Sequence, residues 1–264
     1  AWKQALIGQA LAREGLASEV LAPFAAPPGS RRRVALHARR GDKGQVARLG
    51  YKSRRSWSLV EIERCPIADP RIVSALPALR RLAGPFLEHP KSAPTLYVTV
   101  TQTGLDVDVT GVERRSGGLS ADARMRAAGV AADADLARVT LAGEPVYQAR
   151  QPMVALGAAL AVLPPGGFLQ ASPQAEAAMA QTALDAVAGA ARIADLFCGL
   201  GTFTFRLAAV APVWAADADG RAIDALKRAA GTAPGLKSVT AETRGLFRRP
   251  VLAEVLKRID AVVF

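Results

Sequence analysis

The chain has 264 residues, 50% of them hydrophobic and 22% charged, which is enough apolar material for one large core or two modest ones and excludes a disordered polyelectrolyte. Its 34 Lys and Arg outnumber 23 Asp and Glu, for a net charge of +11, and so point to a polyanionic partner, nucleic acid ahead of a membrane surface. The longest apolar run, Met153 to Leu163, is closed by Pro164 and Pro165 and is too short to span a bilayer; with no signal-like N-terminal region, a cytoplasmic protein without a membrane partner is expected.

Trp2, Leu6, Ala10 and Leu11 recur at helical spacing, and Gly15 supplies a C-terminal stop for a first helix. Between Arg31 and Arg55, ten basic residues stand against the single acid Asp42. They lie on two strand-like stretches around Gly41-Asp42-Lys43-Gly44, which predicts a basic hairpin. Its Arg31, Arg32, Arg33, Arg39, Arg40, Lys43, Arg48, Lys52, Arg54 and Arg55 would meet RNA phosphates, with Tyr51 and Trp57 available for base stacking. The competing reading is a solvated strand face with its aromatics turned into the core. Leu96 to Val100 and Leu105 to Val109 alternate apolar with polar around Gln102-Thr103-Gly104, the period of half-buried antiparallel strands. Residues 1–163 are therefore expected to form an α+β domain with an antiparallel sheet.

Beyond Pro164 the pattern changes. Ser172 and Pro173 are an N-cap and a first helical residue, and an Ala-rich helix is predicted from there to about Ala190. Strand (Ile193 to Phe197), loop (Cys198 to Gly201), helix (Thr202 to Ala209) and strand (Val213 to Asp217) follow, then Asp219 as a cap and further strands at Ser238 to Ala241 and Ile259 to Phe264. This alternation predicts an α/β unit over 164–264 with a parallel, Rossmann-like sheet. The first helix lacks a cap and the last strand feeds no further element, so both ends read as cut.

Asp195-Leu-Phe-Cys-Gly-Leu-Gly-Thr-Phe203 places Gly199 and Gly201 where a strand turns into a helix, so backbone can approach a ligand closely. Asp217, ending the next strand, stands where an acid accepts hydrogen bonds from ribose hydroxyls. A third glycine for helix packing is missing, as is any Gly-Lys-Ser/Thr, so an adenosyl ligand fits better than a dinucleotide or a triphosphate. A plain strand-turn-helix whose glycines serve only geometry is the alternative. The two cysteines, Cys65 and Cys198, are far apart and make no disulfide framework, and His37 and His89 show no partner pattern.

Four segments, Cys65-Pro-Ile-Ala-Asp-Pro-Arg, Leu163-Pro-Pro-Gly-Gly-Phe-Leu-Gln170, Asp195 to Phe203, and Asp260-Ala-Val-Val-Phe264, resemble the RNA uracil-5-methyltransferases. Those enzymes make 5-methyluridine in ribosomal and transfer RNA, and several carry an iron–sulfur cluster. The resemblance spans nearly the whole chain. It implies the N-terminal part of a class I, Rossmann-like methyltransferase domain that binds S-adenosyl-L-methionine, and an RNA partner, 23S rRNA ahead of tRNA. Gln170 and Phe197 would contact the cofactor, Asp217 its ribose, and Asp195, Gly199, Gly201 and Thr202 would complete the loop, while Phe168 would lie near the substrate base. Cys65 matches the last of four thiolates around a 4Fe-4S cluster. The other three are not in this chain, so no cluster is expected in it alone. Cys198, inside the cofactor loop, is given a structural role. No catalytic residue is assigned, because the family's cysteine nucleophile and general base follow an Asp-Pro-Pro segment expected directly after Phe264. Gly245 stands where relatives carry Asp or Asn, which weakens the expected adenine contact. Two other readings remain open: a cytosine-5 nucleic-acid methyltransferase, whose similar loop usually opens its chain, and an RNA-binding module with a vestigial cofactor fold.

Overall fold

A computed structural model of the chain describes residues 2–41, 47–56, 58–113 and 118–264. Asp42, Lys43 and Gly44 of the expected hairpin turn, and Trp57, lie outside the described residues. Helix α1 (Trp2–Arg13) ends before Gly15, whose φ of +69° makes the left-handed stop, but it buries no residue and joins neither core.

Seven strands form the first sheet: β1 (Arg33–Arg39), β2 (Arg48–Lys52), β3 (Leu59–Glu61), β4 (Thr95–Thr101), β5 (Gly104–Thr110), β6 (Arg138–Leu141) and β7 (Glu144–Gln148). Their order is β3-β2-β1-β4-β5-β6-β7. Every pairing is antiparallel except β5 with β6, and a parallel pair needs a crossover, here provided by α3 (Ala121–Asp133). Alternation puts Val34, Leu36, Leu96, Val98, Val107 and Val109 on one face, where α2 (Pro70–Ala83) covers them with Ile72, Leu76, Leu79 and Leu82, and α3 with Ala123, Ala127 and Ala131. Strand periodicity does not announce these helices, yet each has a cap. The Asp69 side chain accepts from the Arg71 amide ahead of Pro70 at the first position, and Ser120 accepts from the Ala123 amide.

The opposite face carries polar residues brought into line by the register: Arg33 and His37 on β1, Tyr97 and Thr99 on β4, Asp106 and Asp108 on β5, Arg138 and Thr140 on β6. Near β6 this layer is buried beneath the Leu163 segment. Arg138 donates to both oxygens of Asp106 at 2.7 and 3.0 Å and to the Leu163 carbonyl at 2.9 Å.

The second unit contains the hairpin β8 (Met153–Leu156) and β9 (Ala159–Val162), then α4 (Pro173–Ala186), β10 (Ile193–Leu196), α5 (Thr204–Leu207), β11 (Val213–Asp217), α6 (Gly220–Thr232), β12 (Val239–Thr243), α7 (Ala253–Leu256) and β13 (Ala261–Val263). The sheet β12-β11-β10-β13 is parallel throughout, as the alternation predicts. The β8–β9 hairpin lies before the expected division at residue 163 yet packs in the second core. Val154, Leu156, Ala159 and Ala161 of the hairpin pack with Ile193, Phe205 and Leu226, because the apolar face of the first sheet is already covered by α2 and α3. Two helices are also shorter than expected. α4 stops at Ala186 before Gly189, whose φ is +84°, and α5 starts late because the loop through Gly201, with φ +95°, is still turning. Among the described residues, no helix is long and apolar enough to cross a membrane.

Candidate cofactor site and adjoining groove

In the order β12-β11-β10-β13 the chain builds outward from β10 to one side and then crosses to the other. The loop after β10 therefore lies at a topological switch point, the place where open parallel sheets bind ligands. The loop's two glycines serve different ends. Gly201 is packed shut, since a Cβ there would meet the Phe205 ring at 2.6 Å and Leu226 at 3.1 Å, whereas Gly199, with φ +54°, faces open space. Phe197 also takes a positive φ of +58°, a conformation that costs a residue with a Cβ about 1–2 kcal/mol, and it remains 50% exposed.

Asp217, at the end of β11, accepts from the Gly199 amide at 2.8 Å with one carboxylate oxygen and from the Asp219 amide at 2.8 Å with the other. Asp219 in turn caps α6. Asp195 is 1% exposed and accepts from the Thr204 hydroxyl at 2.5 Å; burial pushes its carboxyl up to about 6, against the lowering effect of the Thr204 bonds. The Cys198 thiol is buried in the same loop. Burial first, then the Asp195 and Asp217 carboxylates, push its pKa far above the ordinary thiol value, so it stays protonated and is a poor nucleophile.

The structure thus brings together Asp195, Phe197, Gly199, Gly201, Thr202 and Asp217. It adds Phe247, which sequence reasoning missed. This ring is 93% exposed and lies 5.4 Å from the Phe197 ring, tilted by 48°. Its segment is held in place by the Arg244 amide, which donates to the Asp217 carbonyl at 2.7 Å. The available signal was an aromatic just beyond the third parallel strand.

Gln170 and Phe168 line a groove of about 330 Å³ together with Arg31, Arg33 and Tyr97. Phe168 is 71% exposed. Here the arginine run departs from expectation. Arg31 is exposed, but Arg32 is only 8% exposed; it donates to the Gln170 carbonyl and ion-pairs with Glu176, so it is not available to RNA phosphate. A strand alternates its side chains, and the middle arginine of three points to the other side. Arg33 is half-buried and donates to the Gly167 carbonyl at 2.8 Å; burial lowers its pKa despite nearby Asp106, Tyr97 and Asp108. Arg40 holds the Leu87 and Glu88 carbonyls at 2.5 and 2.8 Å, and Arg48 pairs with Glu61 at 2.5 Å.

Among the described residues of the run, Arg31, Arg54 and Arg55 are exposed, and Arg39 and Lys52 are half-buried. His37 belongs to this basic surface as well. Burial, Lys52 and Arg39 all lower its pKa, and its Nδ1 lies 2.9 Å from the Thr95 hydroxyl. Tyr51 is not a stacking platform, since it packs against the first core with its hydroxyl 3.8 Å from the Cys65 sulfur. Cys65 and Cys198 sit in different cores, and among the described residues no group of three or more His, Cys, Asp or Glu is arranged to hold a metal. The residues present do not make a four-thiolate cluster site.

No family model matches the chain. It is 65% identical over 263 residues, 100% of its length, to a protein of Caulobacter vibrioides named uncharacterized RNA methyltransferase, and 43% identical over 268 residues to one of Rhizobium meliloti with the same designation. The chain is a homologue of these proteins. It spans 63% and 62% of their respective lengths. Over 72% of the chain it is also 34% identical to the 23S rRNA (uracil(1939)-C(5))-methyltransferase RlmD of Alkalilimnicola ehrlichii, covering 44% of that protein. The fold matches the Pyrococcus abyssi tRNA (uracil-54, C5)-methyltransferase solved with S-adenosyl-L-homocysteine, with a TM-score of 0.68 over 100% of this chain and 66% of that one, at 18% identity. The fold is α/β, with a Rossmann-like parallel sheet shared with that structure.

Proposed function

We propose that this chain carries the cofactor site and part of the RNA surface of a cytoplasmic S-adenosylmethionine-dependent methyltransferase that forms 5-methyluridine in RNA, 23S rRNA ahead of tRNA. The observation that carries the reading is the loop after β10, with Gly199 open to a ligand and Asp217 anchored beside it by the Gly199 amide. Homology along the whole of this chain to proteins named RNA methyltransferases supports it, and the partial match to RlmD favours ribosomal RNA.

In this reading each Asp217 oxygen has a lone pair left for a ribose hydroxyl, Phe197 and Phe247 flank the adenine, and Gln170 and Thr202 close the remaining sides. S-adenosylmethionine, when bound, supplies an electrophilic methyl group. Asp195, held by Thr204, and the packed Gly201 keep the loop in shape. Phe168, exposed on the groove with Arg31 and Arg33, would meet the target base, and Arg39, Lys52, Arg54 and Arg55 would hold phosphates. Uracil C5 becomes nucleophilic only after a thiolate adds to C6, and a base must then remove the C5 proton. Neither Cys198, protonated and buried, nor Cys65, packed against the first core, suits that addition, so none of the described residues is given a catalytic role. A cluster bound through Cys65 is no part of this proposal.

Titration of the full-length protein with S-adenosyl-L-homocysteine tests the reading. Asp217→Ala should weaken binding by about tenfold or more, the loss of a charge-assisted hydrogen bond. Unchanged affinity would exclude the ribose assignment.

A further inference from the structure

Glu176, in the first turn of α4, is 1% exposed and lies outside the cofactor loop, yet it is the meeting point of two guanidinium groups. One of its oxygens accepts from Arg32 Nη2 at 2.5 Å and the other from Arg206 Nη2 at 2.9 Å. Each arginine also donates to a main-chain carbonyl. Arg32 Nε reaches Gln170 at 3.0 Å, and Arg206 Nη1 reaches Thr202 at 2.6 Å. The Thr202 carbonyl belongs to the loop after β10, and the Gln170 carbonyl to the segment that leads into α4 beside the groove.

The two arginines come from different units. Arg32 enters the first sheet, where its carbonyl accepts from the Val100 amide at 2.8 Å, and its own amide donates to the Ala171 carbonyl at 2.8 Å. Arg206 lies on α5 of the second unit, and the fold leaves room for it: a Cβ on Gly157, in the β8–β9 turn, would stand 3.0 Å from its Cγ. One salt bridge would be enough to fasten α4 to the first sheet. A second guanidinium, turned toward the loop that follows β10, adds nothing to that attachment but ties it to Thr202.

We propose that Glu176 is a positioning residue that sets the spacing between Gln170 and Thr202, and thereby makes the geometry of the cofactor cradle depend on docking of the first sheet through Arg32. The inference rests on the reading that the cradle takes S-adenosylmethionine. A buried carboxylate shared by two guanidinium groups suits this role, since removing it leaves two charges unpaired and releases both arms at once.

The test uses the full-length protein, with S-adenosyl-L-homocysteine affinity by calorimetry, affinity for an unmodified rRNA fragment, and thermal unfolding, all binding being measured well below the transition. In Glu176→Gln the amide can accept from one guanidinium but turns its NH2 toward the other. The expected result is an S-adenosyl-L-homocysteine Kd raised about tenfold or more with RNA affinity held within about twofold. Arg206→Lys, which keeps the charge but cannot span Glu176 and Thr202 together, should shift the same way by less, and combining it with Arg32→Met should cost less affinity than the two single losses added together. Unchanged cofactor affinity in Glu176→Gln, strictly additive losses in the double variant, or an equal fall in RNA and cofactor affinity would each overturn the proposal, the last by marking a purely structural role. Should Glu176→Gln fail to fold, Arg206→Lys and the double variant decide by the same readouts. If the wild type binds no S-adenosyl-L-homocysteine, the cofactor reading itself fails and takes this inference with it.

Discussion

The two sheets differ in how far their acids rely on cations. On the polar face of the first, acids are matched with cations or hydroxyls: Asp106 with Arg138, Asp108 with Thr140, and across the boundary Glu176 with Arg32. At the carboxyl end of the second, Asp195 and Asp217 take no salt bridge among the described residues and rely on main-chain amides and a threonine hydroxyl. Paired charges suit a contact that must hold the units in register, because breaking one leaves an uncompensated ion. Acids without a cation keep acceptor capacity for a ligand. The contrast separates an ion pair that holds packed segments together from acids that keep acceptor capacity at the candidate cofactor site.

The largest expected effect breaks the first kind of contact. Asp106→Ala strands Arg138, 5% exposed, beneath the Leu163 segment, and should lower unfolding stability by about 3–5 kcal/mol in a denaturant titration. Replacing both partners with apolar residues should recover much of that loss. A loss under about 1 kcal/mol for the single change would mean that the pair does not carry the contact.

The glycines of the loop after β10 sharpen the contrast from the other side. Gly201→Ala should cost about 2–3 kcal/mol, because the added methyl collides with Phe205 and Leu226 at positive φ. Gly199→Ala, in open space, should cost only the left-handed penalty of about 1–2 kcal/mol while still weakening cofactor binding. Equal stability losses would show that the two positions are not distinguished by packing.

A smaller effect follows from Asp195. Its pKa is raised in the folded chain from 3.8 to about 6, so its contribution is fully present below the unfolded value and is lost as pH rises through about 6. Asp195→Asn should therefore gain melting temperature relative to wild type between pH 4 and pH 7. A difference between the two that does not vary with pH would rule out the raised carboxyl.

The smallest stability change and the clearest salt effect are expected at the surface. Arg54→Ala and Arg55→Ala should leave stability nearly unchanged and reduce the salt slope of RNA binding by about 1 for each phosphate no longer neutralised. Arg32→Ala should do the reverse, lowering stability without changing the slope.

Much of this arrangement was legible before the fold. The hairpin β4–β5, the parallel alternation after Pro164, the caps at Ser172 and Asp219, and the strand-loop-helix from Asp195 onward follow from period, cap chemistry and glycine placement, which act over a few neighbouring residues. The arginine run was not legible in the same way. Arg31, Arg32 and Arg33 are the same residue in the same local context, and only the partners met across the sheet separate an exposed cation from a buried one bound to Glu176.

By itself, the sequence determined the local elements, the excess of positive charge and the strand-loop-helix of the candidate cofactor site, because hydrophobic period and backbone freedom are properties of short segments. Only the tertiary structure decided that the β8–β9 hairpin joins the second core, that Phe247 pairs with Phe197, and that Arg32, Glu176 and Arg206 connect the two units. Those outcomes depend on which surfaces are left uncovered and which charges meet after residues as distant as 32, 176 and 206 are brought together, and no pattern within a short window encodes that.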